Sequence, residues 1–230
     1  HPTAPWAALL LAISPYALWH AQDARMYSMS MALTIATVWA AIEWLQRQRF
    51  GYAVAYVLSA TLALYTHYYS AYVLLALYVY VLSLALYDPR FQNSVINLLS
   101  PLFFIVLFYS PWYERIAAIL QKYHGNGDSP GFVEMVARAF STFAIGQPIN
   151  WMERQFAAST LIVALLGALC LHFWVNKAQW RTLWLLLLYL FVPLLVTWFG
   201  SINRPIFNER YLVTALPPLL LLVATGQGLM

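Results

Sequence analysis

Charge is what this sequence has least of. Twelve basic and eight acidic residues stand among 230, so 9% of the chain is charged, against roughly 25% in an average soluble domain. So few ionised groups cannot cover a water-facing surface, which excludes an ordinary soluble globule. Cysteine is nearly absent as well. The single Cys170 rules out an intrachain disulfide and a cysteine metal cluster, and its place inside an apolar run reads as packing. The basic residues never run together, which removes support for nucleic-acid binding. There is no Walker loop, GxGxxG, HExxH or GxSxG, and no pair of Gly/Pro-broken helices in matching halves of the kind that marks an inverted-repeat transporter.

What is abundant is apolar: 63% of the residues are hydrophobic. Runs near the thickness of a bilayer core recur at about 4–19, 26–46, 51–66, 70–87, 94–111, 156–175, 183–200 and 212–226. The first is interrupted by Pro15. We expect an all-α, polytopic transmembrane bundle of about seven hydrophobic helices, one domain over 1–230. Trp112, Tyr113, Trp151 and Trp180 stand near run ends, where amphipathic rings favour the headgroup layer. The polar region 112–154 holds no spanning run. Its apolar residues Ile116, Ile119 and Leu120, then Phe132, Val133, Val136, Ala137 and Phe140, predict two short amphipathic helices lying in the membrane interface. Between them, from His124 to Pro130, Gly125-Asn126-Gly127-Asp128 reads as turn chemistry. From the start at His1 and the stop just past an apolar run we expect a piece of a longer protein.

Alternating crossings that put Arg47 and Arg49, Arg90, and Lys177 and Arg181 on the cytoplasmic side give every inner loop a basic residue, a moderate positive-inside bias because Arg25, Arg204 and Arg210 fall outside. The 112–154 loop and the connections holding Asp23, His67 and Glu209 then fall together on the outer face. An ionisable group at a membrane boundary costs several kcal/mol in hydrocarbon, of order 3, unless it pairs or reaches water. Snorkelling and helix-end pairing are the structural explanation for Asp23 with Arg25 and for Glu209 with Arg210. The functional one is a pocket in which arginines offer planar forks to a phosphate. Glu209-Arg210-Tyr211 repeats the carboxylate, guanidinium and phenol trio of Asp23, Arg25 and Tyr27. His67 has no second histidine at ligand spacing and reads first as a hydrogen-bonded structural residue.

Ser14-Pro15-Tyr16 with Gln22-Asp23-Ala24-Arg25-Met26-Tyr27, then Tyr65-Thr66-His67-Tyr68, then Glu209-Arg210-Tyr211-Leu212 with Pro217-Pro218 follow one another along nearly the whole chain. In that order they resemble the polytopic C-type glycosyltransferases related to dolichyl-phosphate-mannose protein mannosyltransferases and bacterial aminoarabinose transferases. The resemblance implies an inverting enzyme of the bacterial inner membrane. It would move a sugar from a polyprenyl-phosphate donor to a lipid, glycan or protein acceptor on the extracytoplasmic face. It further implies that the principal catalytic carboxylate lies in a loop upstream of His1, outside this sequence, with Asp23 a secondary acidic residue. Arg25, Arg204 and Arg210 become candidates for the donor phosphate. Tyr27, His67 and Tyr68 would line the pocket, with Glu209 and Tyr211 beside them. The 112–154 loop would cover the site and help choose the acceptor. No cofactor or nucleic-acid partner is expected, and nothing in the sequence assigns a divalent metal. The alternative from another class is a carrier of a lipid-linked anion, in which the same arginines bind without chemistry.

Overall fold

The computed structural model describes residues 3–122, 125, 127–147, 150–175 and 180–227; His124, Asn126 and Lys177, named above, lie outside them. Among the described residues the chain is helical, its extended pairing limited to an isolated bridge between Asp128 and Phe207. The helices are α1 (Thr3–Ile13), α2 (Pro15–Gln22), α3 (Tyr27–Arg47), α4 (Phe50–Thr66), α5 (Ser70–Tyr87), α6 (Gln92–Tyr109), α7 (Tyr113–Lys122), α8 (Phe132–Ile145), α9 (Trp151–Val175), α10 (Trp180–Asn203) and α11 (Leu216–Gln227). A 3-10 segment, Glu209–Ala215, leads into α11.

Boundaries follow local chemistry. Ser14 separates α1 from α2: its Oγ accepts from the Ala17 N–H at 3.3 Å, and Pro15 takes the first helical position, where a missing N–H costs nothing. Helix α3 stops at Gln48, which adopts a left-handed φ of 51°. Pro101 and Pro193 lie inside α6 and α10, a placement that helices packed against neighbours tolerate.

Five helical stretches are long and apolar enough to cross a membrane: Tyr27–Arg47, Ser70–Tyr87, Pro89–Ile119, Trp151–Cys170 and Trp180–Asn203. The expected count of about seven is therefore met only in part. Helix α4, with 17 residues, is one residue shorter than α5 and stands at the lower limit for a span; the first run breaks at Ser14, and the last divides into the 3-10 segment and α11. Large side chains such as Leu62, Leu82, Phe103, Val163 and Phe199 are exposed. In water that belt would be an aggregation surface; against hydrocarbon it is an ordinary lipid-facing side.

Small residues let the helices approach closely. Ser30, Thr34, Thr37, Ala40 and Ala41 of α3 and Ser59, Ala60 and Ala63 of α4 are buried, and Ser30 Oγ meets Ser70 Oγ of α5 at 3.3 Å. Trp44 Nε1 donates to the Asn97 carbonyl of α6 at 2.8 Å, and Trp184 Nε1 of α10 donates to Ser83 Oγ of α5 at 2.8 Å. Two apolar cores result. One joins α3, α4, α5, α6 and α10; the other joins α2, the start of α3, α8, α9, α10, α11 and the 3-10 segment.

Three local expectations change. Helix α7 stays exposed, as an interfacial helix would, but α8 buries Met135, Ala139, Phe140 and Phe143 in the second core, because α9 and the 3-10 segment offer it apolar protein surface. Trp151 to Arg154, read as loop, form the first turn of α9. Cys170 is exposed on the side of α9 rather than packed.

Candidate functional site

The three motif-bearing stretches meet at one end of the bundle. From α2, the Tyr16 hydroxyl donates to the Glu209 carbonyl at 2.7 Å; from the start of α5, the Tyr69 hydroxyl donates to the Ile206 carbonyl at 3.1 Å. An aromatic chain continues these anchors. His20 touches Tyr16 at 4.5 Å and Tyr27 at 4.9 Å between ring centroids; His67 lies 5.9 Å from Tyr27, 5.4 Å from Tyr211 and stacks on Tyr68 at 5.2 Å. Tyr27 and Tyr211 are themselves 6.4 Å apart. The end of α4, the starts of α3 and α5 and the residues after α10 share this end. At the opposite end Arg181 lies 4.5 Å over the Phe91 ring.

Burial divides the candidate residues. Tyr27 and His67 are 2% and 5% exposed, so they support the surface more than they present to it. Tyr68 is 52% exposed, and Arg25 stands out beside Asp23 with N to O at 3.5 Å. A hydrogen bond to Tyr27, and then the Asp23 carboxylate, hold the Arg25 guanidinium above its ordinary range. Arg204 occupies the exposed turn closed by the Ile206 N–H to its carbonyl at 2.7 Å. Arg210 is fixed by Asn208, whose Oδ1 accepts from the Arg210 backbone N–H at 3.2 Å and from its Nε at 3.0 Å.

Both histidines are neutral by construction. The Tyr69 N–H donates to His67 Nδ1 at 3.2 Å, leaving the proton on Nε2, and burial pushes this imidazole down to about 4. His20 is 1% exposed and neither ring nitrogen has a hydrogen-bond partner. Burial is the main cause that brings it to about 4, with Asp23 opposing and Arg210 assisting.

Glu209 is not open to a ligand on all sides. Arg138 of α8 donates Nε–H to Glu209 Oε1 at 2.5 Å and places another nitrogen 2.8 Å from Asp128, while its guanidinium lies 4.9 Å over the Phe207 ring. Burial opposes the charge on Arg138, but the bonds to Glu209 and Asp128 outweigh it and raise the guanidinium above its usual range. Arg138 thus pins the 112–154 region to the residues after α10. The segment read as a turn pins it again: the Gly127 N–H donates to the Pro205 carbonyl at 2.7 Å, and Asp128 and Phe207 exchange backbone bonds of 2.9 and 3.1 Å. Sequence reasoning passed over Arg138. The signal was a cation amid the apolar face of α8, four residues after Glu134.

Between α2, the ends of α8 and α9 and the 208–210 residues lies a cleft of about 220 Å³, lined by Trp19, Thr142, Gln147 and Arg154 with Asn208, Glu209 and Arg210. It presents two guanidinium groups, several neutral hydrogen-bonding groups, one aromatic face and Glu209, whose carboxylate is engaged by Arg138. Among the described residues no group of three His, Cys, Asp or Glu side chains is gathered for a metal ion. Comparison with protein-family models, curated proteins and solved structures finds no match to this chain.

Proposed function

We propose that this chain belongs to a membrane glycosyltransferase that takes a sugar from a polyprenyl-phosphate donor at the face where residues 16–27, 65–69 and 204–211 meet. The observation that carries the reading is that convergence: three stretches, spread over almost the whole sequence, supply arginines and tyrosines to one end of an apolar bundle. Arginines gathered where headgroups lie suit a ligand whose anion sits at the boundary and whose tail stays in hydrocarbon. In the transfer an acceptor oxygen attacks the anomeric carbon, the bond from that carbon to the phosphate oxygen breaks, the acceptor proton passes to a carboxylate, and the lipid phosphate departs with the bonding electrons. Arg25, Arg204 and Arg210 stabilise that departing charge. The resemblance puts the base upstream of His1, and Asp23 orients the Arg25 fork. Tyr68 and Tyr211 lie against the buried His67, and Tyr211 against Tyr27, at the same end of the bundle.

In the full-length protein, Arg210→Ala should lower turnover with a polyprenyl-phosphate-linked sugar by about 10²-fold, the scale of losing one group that stabilises transition-state charge, while folded yield changes little. Parallel losses of turnover and folded protein would remove Arg210 from the chemistry. Donor binding without any sugar transfer would favour a carrier.

A further inference from the structure

Arg154 is placed where an arginine ought not to be. It lies in the first turn of α9, at the positive end of that helix's dipole. Its Nε is buried with no hydrogen-bond partner, and it shares a cleft with a second guanidinium, Arg210. Each of the three is unfavourable for a cation: a like helix-end charge, an unmet buried donor, and a like-charged neighbour. Two carboxylates stand nearby, and each already has a donor: Arg138 engages Glu209, and Glu153, in the same first turn as Arg154, accepts from the Asn150 amide at 2.9 Å. One anion held between Arg154 and Arg210 answers all three together.

The rest of the cleft indicates what carries that anion. Its 220 Å³ far exceeds the ~10–15 Å³ that a single water needs. Thr142, Gln147 and Asn208 contribute neutral donors and acceptors, and Trp19 a broad aromatic face that is 37% exposed. Convergent amides and a hydroxyl beside an indole suit a pyranose, whose hydroxyls seek the amides and whose C–H face packs on the ring. We infer that this cleft binds a sugar bearing one anionic group, a carboxylate or a phosphate ester, with Arg154 and Arg210 sharing the charge and Trp19 under the ring. The inference rests on the sugar-transfer reading above and gives it a substrate class.

The test is calorimetric titration of the full-length protein in detergent micelles with glucuronate, glucose and inorganic phosphate. Glucuronate should bind at least tenfold more tightly than either of the others. Arg154→Gln should lose at least tenfold, Arg154→Lys should recover part of that, and Arg90→Gln, at the opposite end, should leave affinity unchanged. Glucose binding as well as glucuronate, or wild-type affinity in folded Arg154→Gln, overturns the assignment. Equal affinity for inorganic phosphate overturns the sugar and assigns the pair to a bare phosphate such as a lipid headgroup. If Arg154→Gln does not fold, the ligand preference of the unaltered protein together with Arg154→Lys decides. Glucuronate bound in the cleft by a protein that transfers no sugar from a lipid-linked donor would defeat the transferase reading and leave the cleft standing; transfer without selectivity for the anion would do the reverse.

Discussion

Arg138 and Arg47 each face a carboxylate, but the two pairs should differ in a stability measurement. Arg138 is 15% exposed and serves Glu209 and Asp128 together; Arg47 meets Glu43 one helical turn away with about half its side chain in solvent. Arg138→Met strands Glu209, whose side chain is only 23% exposed, and should cost about 2–3 kcal/mol, the scale of a charge-assisted bond. Arg47→Gln leaves an amide within reach of Glu43, whose side chain is 19% exposed, and should cost less, about 1 kcal/mol or under. Unfolding of both variants in the same detergent checks the contrast. The histidines add a pH dependence of definite sign. Both are held near 4 in the folded chain against an ordinary 6.5, so between those values the unfolded chain takes up protons that the folded chain refuses. The melting temperature should be level above about pH 6.5 and fall as the pH drops towards about 4. His20→Phe, which loses no hydrogen bond inside its ring of aromatics, should flatten part of that fall without loss at neutral pH. At this scale the sequence was legible where a residue type announced itself. Asp23, Arg25 and the tyrosines were visible as boundary polar groups. Arg138 and Arg154 were not, because their importance lies in which distant groups they face.

At the scale of elements, the Gly125–Asp128 strap shows why a turn signature was an incomplete reading. Gly125 has φ +95°, and a side chain at Gly125 or Gly127 would lie under 3.0 Å from the Pro205 or Phe207 carbonyl oxygen. Glycine is needed here for close backbone approach as well as for the bend. Gly127→Ala should break the bridge, and hydrogen exchange at the Asp128 and Phe207 amides should accelerate by at least tenfold while that of α3 to α5 is unchanged. The helices themselves were largely readable. Hydrophobic runs at 26–46 and 70–87 became α3 and α5 within a residue or two, because a run long enough for a bilayer has few other structures open to it. Helix α8 was legible as amphipathic but not in its destination, since lipid and protein offer an apolar face the same attraction and only tertiary structure says which is nearer.

For the whole molecule, alternation of the crossings is the claim most open to a direct check. With Cys170 replaced by alanine, Arg25→Cys and Arg90→Cys should react with a membrane-impermeant maleimide from opposite sides of a sealed vesicle, and reaction from one side would refute the alternation. Loop charge is the sequence's argument for that arrangement; the meeting of remote stretches was not legible there, because no local pattern encodes a contact such as Tyr16 with Glu209, 193 residues apart. That separation also sets an order of assembly. Helices inserted one after another can form early from local contacts, but the tyrosine of α2 waits for a carbonyl near the end of the chain, and Tyr69 waits 137 residues for Ile206. Contacts of such span are the slowest to close. A nascent chain halted before residue 204 would therefore hold helices whose polar end is still open, exposed to quality control until residues 206 and 209 arrive.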